Sequence, residues 1–134
     1  MELIDTPNPN AKKILFDQNI GDIAQSLNKI KGVSSVFIGP GFITITKEDN
    51  LGWEVITDSI ITSLSKQKNI AFILWGNFAK NKKILIDLKH NLVLTSSHPS
   101  PFSANISFFG SRPFSKCNSY LNSVGKDPID WALD

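Results

Sequence analysis

Hydrophobic residues in the first half of the chain follow a helical spacing in some segments and the alternation of strands in others. Ile23, Leu27 and Ile30 are three or four residues apart, which indicates one face of a helix that ends at Gly32. The predicted elements are a strand at Lys13–Phe16, this helix after Gly21, a hairpin with strands Val33–Ile38 and Phe42–Thr46, and a helix at Trp53–Ser65. Their order predicts a small α+β domain at residues 1–67, in which two helices pack on one sheet.

The second half of the chain follows a different pattern after the polar break Lys66–Asn69. The continuous apolar run Ile70–Trp75 ends at Gly76, which is typical of a buried strand in a parallel sheet. The further predicted elements are a short helix at Phe78–Lys83, a strand at Asn91–Thr95 and a helix at Phe114–Ser123 that Gly125 caps. Strands that alternate with helices predict a partial α/β unit at residues 68–134.

A stiff loop, SSHPSPFS at residues 96–103, follows the strand at Asn91–Thr95. Pro99 and Pro101 fix their own backbone dihedrals and so restrain the segment around His98. Taken alone, His98 is an ordinary polar loop residue, Phe102 a core residue and Pro-Ser-Pro a turn. The alternative is a loop shaped in advance to present a histidine and an aromatic ring to a ligand.

Charge is distributed unevenly along the chain, whose formal net charge is +2. Residues 1–67 contain six lysines and eight carboxylates, a net charge of −2, whereas residues 68–134 contain seven lysines and Arg112 against four aspartates, a net charge of +4. This difference is either ordinary surface variation or the sign that the second half contacts an anion such as nucleic acid.

Cysteine and histidine are too few for most metal and redox sites. Cys117 is the single cysteine, so no disulfide forms within one chain and no CxxC motif is present. With His90 and His98 as the only histidines, we predict no metal site and no cofactor. The longest apolar run is far shorter than the roughly 20 residues of a membrane span, and the N-terminus shows no secretory signal, so we predict a cytoplasmic protein without membrane contact.

The first half resembles the N-terminal domain of the Nfu/NifU family of iron–sulfur scaffold proteins. The similar segments are TPNPNAKK at 6–13 and GVSSVFIGPGFITITK at 32–47, followed by the helix that begins at Trp53, and the resemblance covers about residues 3–65. In that family a separate C-terminal domain with a CxxC pair holds the cluster. The resemblance therefore implies the accessory domain, with iron–sulfur assembly proteins as its partners, and not the cluster-binding chemistry.

The second half, over about residues 69–131, resembles the C-terminal part of family 1 uracil-DNA glycosylases. The similar segments are FILWGNFAK at 72–80, HNLVLTSSHPSPFS at 90–103, FFGSRPFSKCNSYL at 108–121 and PIDW at 128–131. They occur in the family's order and at natural spacing. The resemblance implies a gene fusion in which a DNA-repair enzyme contributes a piece of its parallel sheet.

The second resemblance assigns roles to the stiff loop. The loop would enter the minor groove while the target base leaves the stack, and His98 would donate to O2 of uracil as negative charge develops on the leaving base. Phe102, where the family usually has leucine, would fill the vacated stack as an apolar wedge. The implied DNA-binding residues are Gly76, Asn77, Pro99, Ser100, Pro101, Phe102 and Ser103, of which Ser100 and Ser103 would donate to phosphates.

The same resemblance shows which parts of the family's active site these 134 residues lack. The Gln-Asp-Pro-Tyr motif, whose aspartate positions the attacking water, has no counterpart, and neither has the asparagine segment that recognises uracil. Asp87 and Asp130 stand in other sequence contexts and do not replace that aspartate. Ile106 and Pro113 occupy positions where the family usually has a basic residue and a histidine.

Three functions are consistent with these features. The first is a truncated glycosylase-like relic fused to an Nfu-type domain, with weak DNA binding and little or no base excision. The second is a uracil-DNA glycosylase that hydrolyses the N-glycosidic bond of uracil in DNA. The third is an iron–sulfur assembly accessory that acts through residues 1–67. The glycosylase resemblance also implies that the apolar run Ile70–Trp75 is an inner strand of a parallel sheet, next to a strand that these residues lack. Its open edge would be covered by the first half, would pair with a second copy in self-association, or would leave the second half poorly ordered.

Overall fold

The computed structural model describes residues 4–15 and 21–132, and it separates into two compact units, Met1–Leu64 and Ser65–Asp134. The elements in chain order are β1 (Ile4–Asp5), β2 (Ala11–Leu15), α1 (Gly21–Asn28), β3 (Val33–Gly39), β4 (Phe42–Lys47), α2 (Trp53–Ser65), β5 (Ala71–Trp75), α3 (Gly76–Lys80), a 3-10 helix (Asn81–Leu85), β6 (Leu92–Ser96), α4 (Ala104–Ser107) and α5 (Pro113–Ser123). Among these described residues, no helix is long and apolar enough to cross a membrane.

The first unit contains a four-stranded antiparallel sheet in the order β1-β2-β4-β3. The predicted hairpin is confirmed, since Ile38 of β3 lies opposite Ile43 of β4, and the two strands are one residue longer than expected. The predicted first strand begins earlier, at Ala11, while its predicted end at Phe16 lies outside the described residues. Strand β1 was not predicted.

The core of the first unit lies between one face of this sheet and the helices. Six side chains are almost completely buried: Ile14, Ile43 and Ile45 of the sheet, Leu27 of α1, and Ile56 and Ile60 of α2. The bounds predicted for α2, Trp53–Ser65, are confirmed. Ile56, Ile60 and Leu64 recur at helical spacing and are all buried. Ile30 is buried beyond the end of α1, and the side chain of Ile23 lies outside the described part of the chain.

The second unit is organised around two parallel strands, β5 and β6, which pair from Ala71 with Leu92 to Trp75 with Ser96. The expectation of a strand buried on both faces was wrong. Phe72 and Leu74 are buried, whereas Ala71, Ile73 and Trp75, which alternate with them along the strand, are half-buried. This alternation shows that one face of the two-stranded sheet is covered more fully than the other.

Helix α5 and the segment after it complete the second unit. Cys117 and Leu121 of α5 are buried, and Gly125 follows the helix with a φ of +74°, as expected for a glycine that ends a helix. The side chain of Asn118 fixes the last described segment: its Nδ2 donates to the carbonyl of Ile129, and its Oδ1 accepts from the backbone N–H of Ile129. The centroid of the Trp131 ring lies 4.8 Å from the centroid of the Phe114 ring.

The turn ahead of β6 is held by Asp87 and its neighbours. Nδ1 of His90 donates to Oδ2 of Asp87 over 2.6 Å, and the N–H of Lys89 donates to the other carboxylate oxygen over 2.9 Å. These bonds favour the ionised carboxylate and lower the pKa of Asp87 below its ordinary value of 3.8. Asn91, which donates to the carbonyls of Ser65 and Asp87, leads directly from this turn into β6.

We predict that the contribution of Asp87 to the stability of the second unit depends on pH. Because the folded-state pKa is lowered, the ionised carboxylate stabilises the fold above pH 3.8, and this stabilisation is lost as the pH falls through the folded-state pKa. The free energy of unfolding of Asp87→Asn, measured with urea, should therefore lie below that of the wild type at about pH 6 and approach it at about pH 3. Asp127→Asn controls for the loss of one negative charge, and an equal deficit of Asp87→Asn at both pH values would contradict the prediction.

Candidate nucleic-acid interface

The sequence-predicted site residues follow the two parallel strands. Gly76 and Asn77 come directly after β5, and residues 97–103 come directly after β6. Because Trp75 pairs with Ser96 in a parallel ladder, both segments leave the sheet at the same edge, at the carboxyl ends of the strands. This edge is where open α/β sheets commonly bind ligands.

Gly76 and His98 are in direct proximity at this edge. A Cβ atom added at Gly76 would lie 3.7 Å from Cβ of His98, which is van der Waals contact. Gly76 also has a φ of +82°, a backbone conformation that favours glycine. The positive φ therefore favours glycine at the turn between β5 and α3, whereas a Cβ there would fit against the histidine loop without a clash.

The backbone of the loop orients the ring of His98. The N–H of Ser100 donates to Nδ1 of His98 over 3.1 Å, so in the neutral ring the proton lies on Nε2. His98 is exposed, and Nε2 can donate a hydrogen bond to a carbonyl or phosphate oxygen of a ligand. This geometry permits the donor role that the sequence assigned to His98.

The two serine hydroxyl groups are used inside the loop. Oγ of Ser103 donates to the carbonyl of His98 over 2.9 Å and lies 3.2 Å from Oγ of Ser100. Since the single proton of Ser103 is already donated, Ser100 is the donor within the pair. Donation to phosphates, as predicted from the sequence, would require both hydroxyl groups to leave these partners.

A reciprocal pair of bonds at the base of the loop was not predicted. The N–H of Ser97 donates to Oγ of Ser107 over 2.8 Å, and the N–H of Ser107 donates to Oγ of Ser97 over 3.1 Å. Ser97 is buried, and Ser107 ends the short helix α4, so the two bonds join the start of the loop to the helix that follows it. A pair of serines ten residues apart carries no sequence signal that would reveal this contact.

The tip of the loop is apolar and open to solvent. The side chain of Phe102 is 99% exposed, so its predicted alternative as a core residue was wrong. Ile106 and Phe109, four and seven residues further on, are also exposed. In contrast, the ring of the neighbouring Phe108 packs edge-on against Trp75 at 5.5 Å. The loop therefore presents an exposed aromatic ring four residues after the hydrogen-bond donor His98.

The two aspartates considered as substitutes for a catalytic carboxylate have local partners. Asp87 precedes β6 and bonds to His90, whereas His98 follows β6, so Asp87 lies at the opposite end of that strand. Oδ1 of Asp130 accepts from the N–H of Ala132 in the terminal segment. Within residues 4–15 and 21–132, no group of three histidine, cysteine or carboxylate side chains could hold a metal ion.

The two halves of the chain are similar to two different groups of proteins. The sequence profile described as "Scaffold protein Nfu/NifU N terminal" matches residues 1–69. Among curated relatives, the uracil-DNA glycosylase of Limosilactobacillus reuteri is 59% identical over 83 residues, and that of Lactobacillus delbrueckii is 56% identical over 82 residues. Each alignment covers 61% of this chain and 36% of the relative, so the chain spans about a third of the length of these glycosylases.

The similarity to glycosylases begins earlier in the chain than predicted. Any stretch of 82 residues in a chain of 134 includes residues 53–82, so the alignment contains α2 as well as the second half. Residues 53–69 therefore belong to both matches.

A solved structure supports the same assignment. The crystal structure of mimivirus uracil-DNA glycosylase superimposes with a TM-score of 0.57 at 25% sequence identity, covering 85% of this chain and 54% of the viral protein. The matching profile covers more than half of the chain, and each glycosylase alignment includes at least residues 53–82. The chain thus belongs to the Nfu/NifU N-terminal family and joins that domain to a segment similar to part of a uracil-DNA glycosylase.

Proposed function

We propose that the second unit, residues 65–134, is a DNA-contacting module with weak affinity and little or no base-excision activity. The observation that carries the proposal is the meeting of Gly76 and His98 at the carboxyl edge of two parallel strands, with Nε2 of His98 and the ring of Phe102 open to a ligand. The relatives that share this segment are named uracil-DNA glycosylases.

The positive charge of the second unit and its exposed Phe102 support nucleic acid as the ligand. Residues 68–134 contain seven lysines and Arg112 against four aspartates, a net charge of +4. Such an excess attracts the phosphate backbone irrespective of sequence. The exposed ring of Phe102 in the same unit can stack on an unpaired base or fill a gap in the stack.

The arrangement supports binding more than it supports hydrolysis. Cleavage of the N-glycosidic bond needs a water held for attack, and the carboxylates of Asp87 and Asp130 already accept hydrogen bonds from His90 or from backbone N–H groups elsewhere. His98 alone could stabilise the charge on the leaving base, and loss of one such polar group typically changes a rate by about 10²–10³. A site with His98 but without water positioning and uracil recognition is expected to show very low turnover.

Uracil-DNA glycosylase activity is the second candidate function, and the sequence identity of 54–59% to named glycosylases favours it. The two candidates differ in one measurable product, free uracil. Both functions use the loop at residues 96–103, and both predict that His98 takes part in binding DNA.

The third candidate function, an accessory role in iron–sulfur assembly through residues 1–67, is favoured by membership of the Nfu/NifU N-terminal family. The domain itself contributes no cysteine to a cluster. A pull-down with the first unit intact that recovers no cluster scaffold or carrier would count against this function.

We predict that the chain binds uracil-containing single-stranded DNA without releasing uracil. Binding, measured by fluorescence anisotropy, should weaken steeply with salt because phosphate contacts release counterions. His98→Ala should weaken binding further, whereas His90→Ala, which changes the histidine at the other end of β6, should leave it nearly unchanged. Release of uracil that disappears in His98→Ala would contradict the proposal and establish the glycosylase function.

We predict that Phe102 contributes directly to DNA affinity. Phe102→Ala should raise the dissociation constant for single-stranded DNA by about 5- to 150-fold, because stacking of one base on an aromatic ring contributes about 1–3 kcal/mol. Ile84→Ala, at an apolar side chain that is 89% exposed on the 3-10 helix of the same unit, serves as the matched control. An equal effect of both substitutions would show that Phe102 does not stack on a base.

A further inference from the structure

Strand β3 is the outer strand of the sheet in the first unit. It pairs with β4 on one side, and no other strand among residues 4–15 and 21–132 pairs with its second edge. That edge runs along the seven residues of β3, from Val33 to Gly39, and the N–H of Val33 already donates to the carbonyl of Ile30. The opposite edge of the sheet is β1, which has only two residues.

The usual devices that protect an edge strand are missing from most of β3. Natural edges carry charged side chains, prolines or bulges that prevent pairing with another chain. Residues 32–46 contain no charged side chain, and Pro40 lies in the turn beyond the strand. The one bulge lies between Val33 and Ser35, so the segment from Ser35 to Gly39 is regular.

Two large apolar side chains of this regular segment are exposed on opposite faces of the sheet. Phe37 is 62% exposed and lies opposite Thr44, while Ile38 is 54% exposed and lies opposite the fully buried Ile43. A further strand placed against β3 would cover part of both side chains at once. A ligand on only one face of the sheet would cover only one of them.

We propose that β3 pairs in an antiparallel manner with β3 of a second copy of this chain, about a two-fold axis at Phe37. In this register Phe37 lies opposite Phe37 of the second copy, and Val36 lies opposite Ile38 of the second copy. Apolar side chains therefore meet apolar side chains on both faces, and two four-stranded sheets become one sheet of eight strands. Such cross-strand pairs of aromatic and β-branched residues stabilise antiparallel sheets.

Symmetry and charge make a second copy the occupant that fits this edge. The strand is complementary to itself in the stated register, and because it is uncharged, no like charges meet at the axis. The assembly would also end at two copies. Its outer edges would be the two-residue strands β1, where Asp5 forms an ion pair of 3.0 Å with Lys12. This pairing is independent of DNA binding by the second unit.

The mass of the full chain in solution, measured by light scattering over a dilution series, tests the pairing. The wild type should approach twice 14.8 kDa as its concentration rises, and Phe37→Lys should stay at the monomer mass because it places two positive charges at the axis. Leu15→Lys is the matched control, since Leu15 is 57% exposed but lies on β2. A wild type that remains monomeric at all concentrations, a dimer that survives in Phe37→Lys, or a dimer lost equally in Leu15→Lys would overturn the proposal.

Chemical cross-linking provides a second measurement that does not depend on disrupting the dimer. In Phe37→Cys two thiols would face each other at the axis, so a short bis-maleimide should yield a covalent dimer, while Leu15→Cys and the wild type, whose Cys117 is buried, should not. Ile73→Lys distinguishes the edge of β3 from that of β5, for which self-association was expected. A dimer abolished by Ile73→Lys but not by Phe37→Lys would overturn the proposal and assign the contact to β5.

Discussion

The parallel pairing of β5 with β6 determines where the candidate interface lies. In an antiparallel pair the segments after the two strands would leave from opposite edges, and Gly76 could not approach His98. The register that sets Trp75 opposite Ser96 brings both strands to an end at the same level. The positive φ of Gly76 then lets the chain turn directly into α3, so close to the loop that a Cβ added at Gly76 would contact Cβ of His98. Each functional suggestion for the second unit depends on this arrangement.

The loop is held in shape by internal hydrogen bonds, and the donors of these bonds are therefore not free to bind a ligand. Ser100 and Ser103 hold the backbone around His98, and Ser97 binds the loop to the end of α4. Together with the fixed dihedrals of the two prolines, these bonds reduce the conformational entropy that binding would cost. The groups left for a ligand are Nε2 of His98 and the ring of Phe102. Such a loop is suited to stacking and to one directed hydrogen bond.

Elements with a long repeated pattern could be predicted from the sequence, whereas those fixed by a partner could not. Helix α2 was predicted to the residue because its buried positions recur over thirteen residues. Strand β1 has two residues and exists only through pairing with β2, and α4 has four residues held partly by Ser107. The apolar run of β5 indicated burial on both faces, but hydrophobicity alone cannot show how many neighbouring layers a strand has. Similarly, the sequence predicted that His98 and Gly76 share a site, but not that serine hydroxyl groups are used within it.

Helix α2 lies in the part of the chain that both similarities include. Residues 53–69 belong both to the Nfu/NifU N-terminal match and to the glycosylase alignment, so the two similarities overlap rather than meet at a point. In this chain the overlap is an amphipathic helix, since Ile56, Ile60 and Leu64 recur at the 3.6-residue period and are buried. The first compact unit ends at Leu64, the predicted first domain ends at residue 67, and the Nfu/NifU match ends at residue 69. Because α2 lies in the first compact unit and also within the glycosylase alignment, the division into compact units does not coincide with the limits of the two similarities.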